Sequence, residues 1–238
     1  SDVIMVARGD LGVEIGDAEV PGVQKRLISE SRAQNTVVIT ATQMMQSMVS
    51  SPQPTRAEVS DVSNAVLDGT DAVMLSAESA IGRHPVKVVA ALDRICLAAE
   101  RHRSVLVSGH RMESRFDSVE ETIAMATMYT ANHYNVVGIL TLTESGTTAK
   151  WMSRISSGIQ IFGMTRNEDT ERRMALYRGV IPIYYDVMAG EEDLWAKAIE
   201  LVAERGALEI GDRVAITCGD LHGKGGSTNT LKILEYKG

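Results

Sequence analysis

The stretch VIMVARGDLGVE, residues 3–14, decides how the rest of the chain is read. Four of its first five residues are large and apolar and none is charged, the pattern of a strand buried on both faces. The apolar run stops at Arg8-Gly9-Asp10. Two further runs behave alike: VVIT at Val37–Thr40 leads into Ala41-Thr42-Gln43, and AVML at Ala72–Leu75 leads into Ser76-Ala77-Glu78. Their starts, at residues 3, 37 and 72, lie roughly 35 residues apart, the period of a strand, a helix and two loops. Three parallel strands that each deliver polar groups just past their C-terminal ends are what a (β/α) barrel uses to build an active site.

The segments between these runs read as helices. Asp17–Pro21 starts one that carries Val23, Leu27 and Ile28 on one face. The two-proline loop Ser50–Thr55 precedes a helix over Arg56–Leu67, with Val59, Val62, Ser63 and Val66 on one side and Gly69 as its stop. Gly82–Pro85 opens a longer one with Val88, Val89, Leu92, Ile95, Cys96 and Ala99 at helical period. Met44, Met45 and Met48 read as core or interface packing. Residues 1–101 therefore form barrel units, and 102–117, charged and aperiodic, a linker. Residues 118–238 form a second, mostly parallel α/β domain. A capping box at Ser118–Glu121 opens a helix to about Asn132. Strands at Val136–Thr141, Gln160–Thr165, Ile181–Tyr185 and Arg213–Thr217 alternate with helices near Thr147–Ile155, Asp169–Leu176 and Glu192–Arg205, and Asn229–Tyr236 reads as an edge strand.

Composition narrows the function. With 238 residues and 44% hydrophobic content the chain can bury a sizeable core. A net charge of −7 with scattered basic residues argues against a nucleic-acid partner. No apolar run approaches the roughly 20 residues of a membrane span, and no signal sequence is visible, so a cytoplasmic protein is expected. Cys96 and Cys218 give no disulfide framework and no metal spacing.

ARGDLG, ATQMM followed by PTRAEVSDVSNAVLDG, and MLSAES resemble the last three barrel units of pyruvate kinase, and residues from about 115 onward resemble that enzyme's C-terminal regulatory domain. The resemblance implies a partial (β/α)8 TIM barrel and phosphoryl transfer from phosphoenolpyruvate to ADP, giving pyruvate and ATP. It implies Mg²⁺ and K⁺ as cofactors, with positioning and cations doing the work. Asp10, a carboxylate between two glycines, Gly9 and Gly12, at a strand end, suits a hard divalent cation, although its spacing also suits a helix N-cap. The resemblance makes it an Mg²⁺ ligand, and makes the backbone N–H groups of Gly9 and Asp10 donors to the substrate carboxylate. Arg8 falls towards the substrate and towards a subunit contact. Thr42 on residue type alone is an ordinary satisfied hydroxyl; the resemblance puts it beside the methylene carbon that is protonated. Ser76 and Glu78 join a water chain there, or serve structure. Ile81 stands where many relatives have a lysine near the nucleotide. Arg56 lies in the region that forms the barrel-to-barrel interface of a homotetramer.

Thr143-Glu-Ser-Gly-Thr-Thr148 follows a strand and opens a helix, so unpaired N–H groups and the hydroxyls of Thr143, Ser145, Thr147 and Thr148 converge, with Gly146 allowing a tight turn. Helix capping alone would need one hydroxyl. The resemblance implies an allosteric pocket, completed by Lys224, Gly225 and Ser227 of the loop Leu221–Thr228. Many relatives carry an arginine where Thr147 stands, so a sugar monophosphate or AMP is expected in preference to a bisphosphate. The five earlier barrel strands, the lid domain and the strand with the catalytic lysine are absent, so the chain alone is expected to be inactive. Two other readings remain: a regulatory or oligomerisation module that binds a phosphorylated metabolite, and a dikinase-type phosphoenolpyruvate barrel, which PTRAE and the appended domain disfavour.

Overall fold

The structure, a computed structural model, describes residues 1–102, 106, 115–155, 157–186, 194–219 and 228–238. Its contacts divide the chain into two units, Ser1–Leu106 and Val107–Gly238, each with its own sheet. Most of the 102–117 segment lies outside the described residues.

In the first unit β1 (Val3–Ala7), β2 (Val37–Ala41) and β3 (Ala72–Met74) run parallel in chain order, with Val3 opposite Val37 and Ile39 opposite Ala72. β2 is central, and Val37, Val38, Thr40 and Ala41 are buried. β1 departs from the expectation of burial on both faces: only Val6 is buried and Met5 is 52% exposed. Among the described residues β1 has one neighbouring strand, so an apolar run that suits an interior strand is covered on one side only.

The connection after β1 also differs from a plain loop. Helix α1 (Arg8–Ile15) begins as β1 ends, with Asp10 in its first turn, where a carboxylate favours the helix dipole. Helix α2 (Val20–Ala33) has Pro21 in its first turn and buries Ile28 against Val6 and Val38. After β2 the short 3-10 helix Gln46–Val49 sinks Met44, Met45 and Met48 into a core shared with α3 (Arg56–Asp68) and α5 (Pro85–Glu100). The methionines are thus core packing within the chain. α3 opens with a capping box that the sequence reading left inside a loop: Thr55 Oγ1 accepts from Glu58 N–H, and Glu58 Oε2 accepts from Thr55 N–H. Gly69 closes α3 with a left-handed φ of 95°. The short α4 (Ala77–Ala80) lies between β3 and α5. On α5, Val88 and Ile95 are buried as expected, whereas Val89 is 55% exposed.

The second unit is a five-stranded sheet in the order β6-β5-β4-β7-β8: β4 (Gly138–Leu142), β5 (Gln160–Thr165), β6 (Val180–Tyr184) and β7 (Arg213–Gly219) are parallel, and β8 (Thr228–Glu235) is antiparallel at the edge. Helices α6 (Val119–His133), α7 (Thr147–Ser153) and α8 (Glu168–Met174) bury Met128, Met152 and Met174 with Ile139 and Ile161 on one face. Helix α9 (Leu194–Glu204) buries Ala198, Ile199 and Val202 with Leu140, Phe162 and Ile216 on the other. Alternate residues of each strand thus serve two cores, which is why these strands are apolar throughout. The chain leaves β4 for β5 and β6 on one side and returns to β7 on the other. The switch point therefore lies between the C-terminal ends of β4 and β7.

Candidate functional site

The polar residues expected at the three strand ends of the first unit meet through backbone as much as through side chains. Thr42 follows β2 with φ of +69°, and Gln43 follows with +56°. Two successive left-handed residues, the first β-branched, cost of order 1–3 kcal/mol each and persist only where surroundings over-determine them. Three contacts do so here. The Arg8 guanidinium donates from Nη2 to the Thr42 carbonyl at 2.7 Å and from Nε to the Ala41 carbonyl at 3.3 Å. The N–H of Gly9 donates to Thr42 Oγ1 at 2.9 Å. Because Oγ1 accepts from Gly9, the hydroxyl proton of Thr42 is left to point elsewhere, which is the orientation a proton donor needs.

Gly9 and Asp10, expected to act as paired N–H donors, are thereby separated in role. The Gly9 N–H is engaged by Thr42, whereas the Asp10 N–H lies in the first turn of α1, where no intrahelical acceptor exists. Asp10 does not cap α1; it stands inside its first turn, exposed, and its side chain makes no bond to a described residue. An exposed carboxylate at a helix start suits Mg²⁺ as one hard oxygen ligand. Among the described residues no group of three His, Cys, Asp or Glu side chains is placed to hold a metal, so further ligands would have to come from elsewhere.

Arg8 turns into the chain: its side chain is 11% exposed, and Nη1 donates to both oxygens of Asp61 at 2.6 Å and to Gln24 Oε1 at 3.5 Å. Glu78 is fully buried and bridges two loops, accepting from Met45 N–H with Oε1 and from Ser76 N–H with Oε2, each at 3.0 Å. That geometry holds the end of β2 against the end of β3. The Ser76 side chain makes no cap to α4. Glu58 ties the α3 cap to the methionine loop, accepting from Ser47 N–H and Oγ as well as from Thr55. Burial pushes its carboxyl up, but the bonds from Ser47 and Thr55 together outweigh this and hold it below its ordinary value. The sequence reading missed Asp61, Gln24 and Glu58. Thr55-x-x-Glu58 was legible as a cap, whereas nothing local marks Asp61 as the partner of a residue fifty-three positions away.

In the second unit the 143–148 loop leaves β4 at the switch point. Gly146 takes a left-handed φ of 76° as the N-cap of α7, and no side chain caps that helix. The hydroxyls serve the turn instead: Thr143 Oγ1 accepts from Gly146 N–H at 3.0 Å, and Ser145 Oγ lies 2.9 Å from Thr147 Oγ1. Thr148 turns inward, 3.0 Å from the buried Thr228 Oγ1 at the start of β8. This joins the 143–148 loop to the end of the glycine-rich segment; Lys224, Gly225 and Ser227 lie outside the described residues. Behind the loop, Thr141 of β4 and Thr217 of β7 are register partners, both fully buried, with hydroxyls that have no partner among the described residues.

Three parallel strands with their helices followed by an α/β layer domain, with a strained threonine and an exposed aspartate at adjacent strand ends, have the plan of part of a (β/α) barrel carrying an appended domain. Family models agree: the pyruvate kinase barrel domain matches residues 1–89 and the pyruvate kinase alpha/beta domain matches residues 121–234. The chain belongs to the pyruvate kinase family. It is 57% identical over 235 residues to pyruvate kinase II of Salmonella typhimurium, covering 98% of this chain and 49% of that protein. It is 55% identical over 236 residues to pyruvate kinase of Haemophilus influenzae, with 98% and 49% covered, and 40% identical over 235 residues to that of Thermotoga maritima, with 99% and 50% covered. The chain thus spans about half the length of the relatives it matches. No described helix is long and apolar enough to cross a membrane.

Proposed function

We propose that this chain is the part of a pyruvate kinase that supplies the last three barrel units and the regulatory domain, and that the complete protein transfers the phosphoryl group of phosphoenolpyruvate to ADP. In this reading Asp10 is one oxygen ligand of Mg²⁺, the Asp10 N–H faces the substrate carboxylate, Arg8 holds the Thr42 loop from inside the chain instead of meeting the substrate, and Thr42 delivers the proton that turns enolpyruvate into pyruvate. Ser76 lies along that proton path, and Glu78 fixes its loop. K⁺ binds through residues outside this chain. The protein works as a cytoplasmic homotetramer in glycolysis. The observation that carries the reading is the left-handed Thr42 whose oxygen accepts from Gly9 N–H at a barrel strand end. Strained residues that their surroundings over-determine cluster at reacting sites, and the C-terminal end of a barrel strand is where such a site is built.

The test is made in the complete enzyme. Asp10→Asn is expected to raise the Mg²⁺ requirement and lower turnover by roughly 10²-fold or more, as for loss of one electrostatic stabiliser. Thr42→Ala is expected to slow protonation by roughly 10²-fold while Mg²⁺ dependence stays unchanged. An Asp10→Asn enzyme with wild-type Mg²⁺ dependence would remove it from the metal site.

A second role is carried by the contact of Thr148 with Thr228. It ties α7, which follows the 143–148 loop, to the start of β8, beside the switch point where open α/β sheets bind ligands. In this reading a phosphorylated effector, a sugar monophosphate or AMP, binds beside the 143–148 loop.

A further inference from the structure

The left-handed pair Thr42–Gln43 is held from outside its own loop, and the chain of contacts that holds it ends on a residue with no expected part in the chemistry. Arg8 reaches two successive carbonyls, Ala41 and Thr42, with Nε and Nη2. A guanidinium can hold such a fork only if its remaining edge is also fixed. Asp61 fixes it: both carboxylate oxygens lie 2.6 Å from Nη1. Gln24 gives a weaker contact at 3.5 Å. The side chain of Arg8 is 11% exposed and that of Asp61 37%, so Asp61 balances a nearly buried cation from the solvent side of the pair. It does so from the middle of α3, the helix anchored by the Thr55–Glu58 box at one end and Gly69 at the other. Asp61 touches no strand-end residue except Arg8 by these bonds, and cannot itself meet a ligand that sits over Thr42.

We infer that Asp61 is a positioning residue for the proton transfer: through Arg8 it keeps Thr42 left-handed, with Oγ1 on the Gly9 N–H and its proton directed at the substrate. This rests on the reading of the chain as part of a pyruvate kinase. Without the carboxylate, the guanidinium swings towards water or Gln24. The Ala41 and Thr42 carbonyls then lose their donors, and the pair relaxes to right-handed or extended backbone. The Thr42 oxygen moves off Gly9. Binding of phosphoenolpyruvate and ADP, which depends on phosphate and metal contacts away from this hydroxyl, changes little.

The experiment uses the complete enzyme with Asp61→Asn, Asp61→Glu, Thr42→Ala and the double variant Asp61→Asn/Thr42→Ala. Turnover, KM for both substrates, and the rate at which pyruvate exchanges its methyl hydrogens in deuterated water are measured; exchange is the reverse of the proton delivery. Asp61→Asn is expected to lower turnover and methyl exchange together, by roughly 10- to 100-fold, as for loss of a supporting contact behind a site residue, with KM within about twofold. Asp61→Glu is expected to recover part of both rates. In the double variant Asp61→Asn is expected to add no further loss to that of Thr42→Ala, because the two act on one group. Amide hydrogen exchange at Gly9 is followed in parallel and is expected to speed up in Asp61→Asn. Wild-type turnover and exchange in a folded Asp61→Asn enzyme would overturn the inference, and so would a multiplicative loss in the double variant. If Asp61→Asn does not fold, Arg8→Lys, which keeps the charge and loses the fork, must show the same paired loss; wild-type rates there would also overturn it. If the wild-type complete protein makes no pyruvate, the functional reading fails. Faster Gly9 exchange would then still support the Asp61–Arg8–Thr42 coupling, and unchanged exchange would refute it.

Discussion

A carboxylate with no exposed surface needs donors on both oxygens, and Glu78 has them in the backbone N–H groups of Met45 and Ser76. Glu78→Gln turns an acceptor into an NH₂ group facing one of those donors, so one N–H is left unsatisfied. The expected cost is about 1–3 kcal/mol, read as a lower urea midpoint at unchanged m value. Glu58 gives a pH-dependent counterpart. Its carboxyl is held below the ordinary 4.5 in the fold, so its contribution is fully present above that pH and is lost as pH falls through the lower folded value. The difference in thermal midpoint between wild type and Glu58→Gln is therefore expected to be largest at neutral pH and to close in acid. A gap that widens in acid would show that the bonds from Ser47 and Thr55 do not favour the charged form. At this scale the sequence showed which residue types stand at strand ends, since Asp10, Thr42 and Ser76 follow directly from where the apolar runs stop. It did not show that Arg8 would turn inward or that Glu78 would be spent on backbone. Both depend on partners far along the chain, Asp61 and Met45, and no local period encodes such pairs.

Elements repeat the pattern. Helices α2, α3 and α5 were legible because a 3.6-residue apolar stripe follows a clear start or precedes a clear stop, such as Pro21, Pro85 and Gly69, α6 because Ser118–Glu121 reads as a capping box, and α9 because it closes on Gly206. Helix α1 was not: it has no cap side chain and no buried residue, so neither signal exists. The exposure of β1 was equally hidden, because an apolar run states what a strand prefers and not how many neighbours it finds. The link between α7 and β8 lends itself to a test. Thr148 and Thr228 are buried and bonded to each other, so Thr148→Val leaves the Thr228 hydroxyl buried without that partner. Unfolding in urea is expected to show a loss of about 1–3 kcal/mol for the single variant. The double variant Thr148→Val/Thr228→Val, with both hydroxyls replaced by methyls of like shape, is expected to recover most of it. Equal losses in single and double variants would mean that the hydroxyls are not coupled.

For the molecule as a whole, the two-part α/β plan follows from the strand-and-helix period, whereas the order β6-β5-β4-β7-β8 does not. Strand order is decided by pairing between segments some seventy residues apart, such as β4 with β7. That order nevertheless places the 143–148 loop at the switch point, and the proposed functions divide by unit. Catalysis needs more than the first unit offers: its sheet has two open edges, and the described strand ends carry one exposed carboxylate where a two-cation phosphoryl site needs several ligands. In the proposed reading effector binding needs only the second unit, whose sheet has helices on both faces. The 238-residue chain is therefore expected to make no pyruvate from phosphoenolpyruvate, ADP, Mg²⁺ and K⁺, yet to bind a phosphorylated effector. Calorimetric titration with glucose 6-phosphate, ribose 5-phosphate, AMP and fructose 1,6-bisphosphate separates the two statements. A monophosphate is expected to bind more tightly than the bisphosphate, because Thr147 brings a hydroxyl and no cation, and Glu144 is paired with Arg166 at 3.1 Å, which partly neutralises a guanidinium beside the loop. Ser145→Ala/Thr147→Ala removes the exposed hydroxyl pair while leaving the buried Thr148–Thr228 contact, and is expected to weaken binding by at least tenfold. Tightest binding by the bisphosphate would refute the charge argument, undiminished binding in the double variant would move the site away from this loop, and turnover by the isolated chain would show that three barrel units suffice.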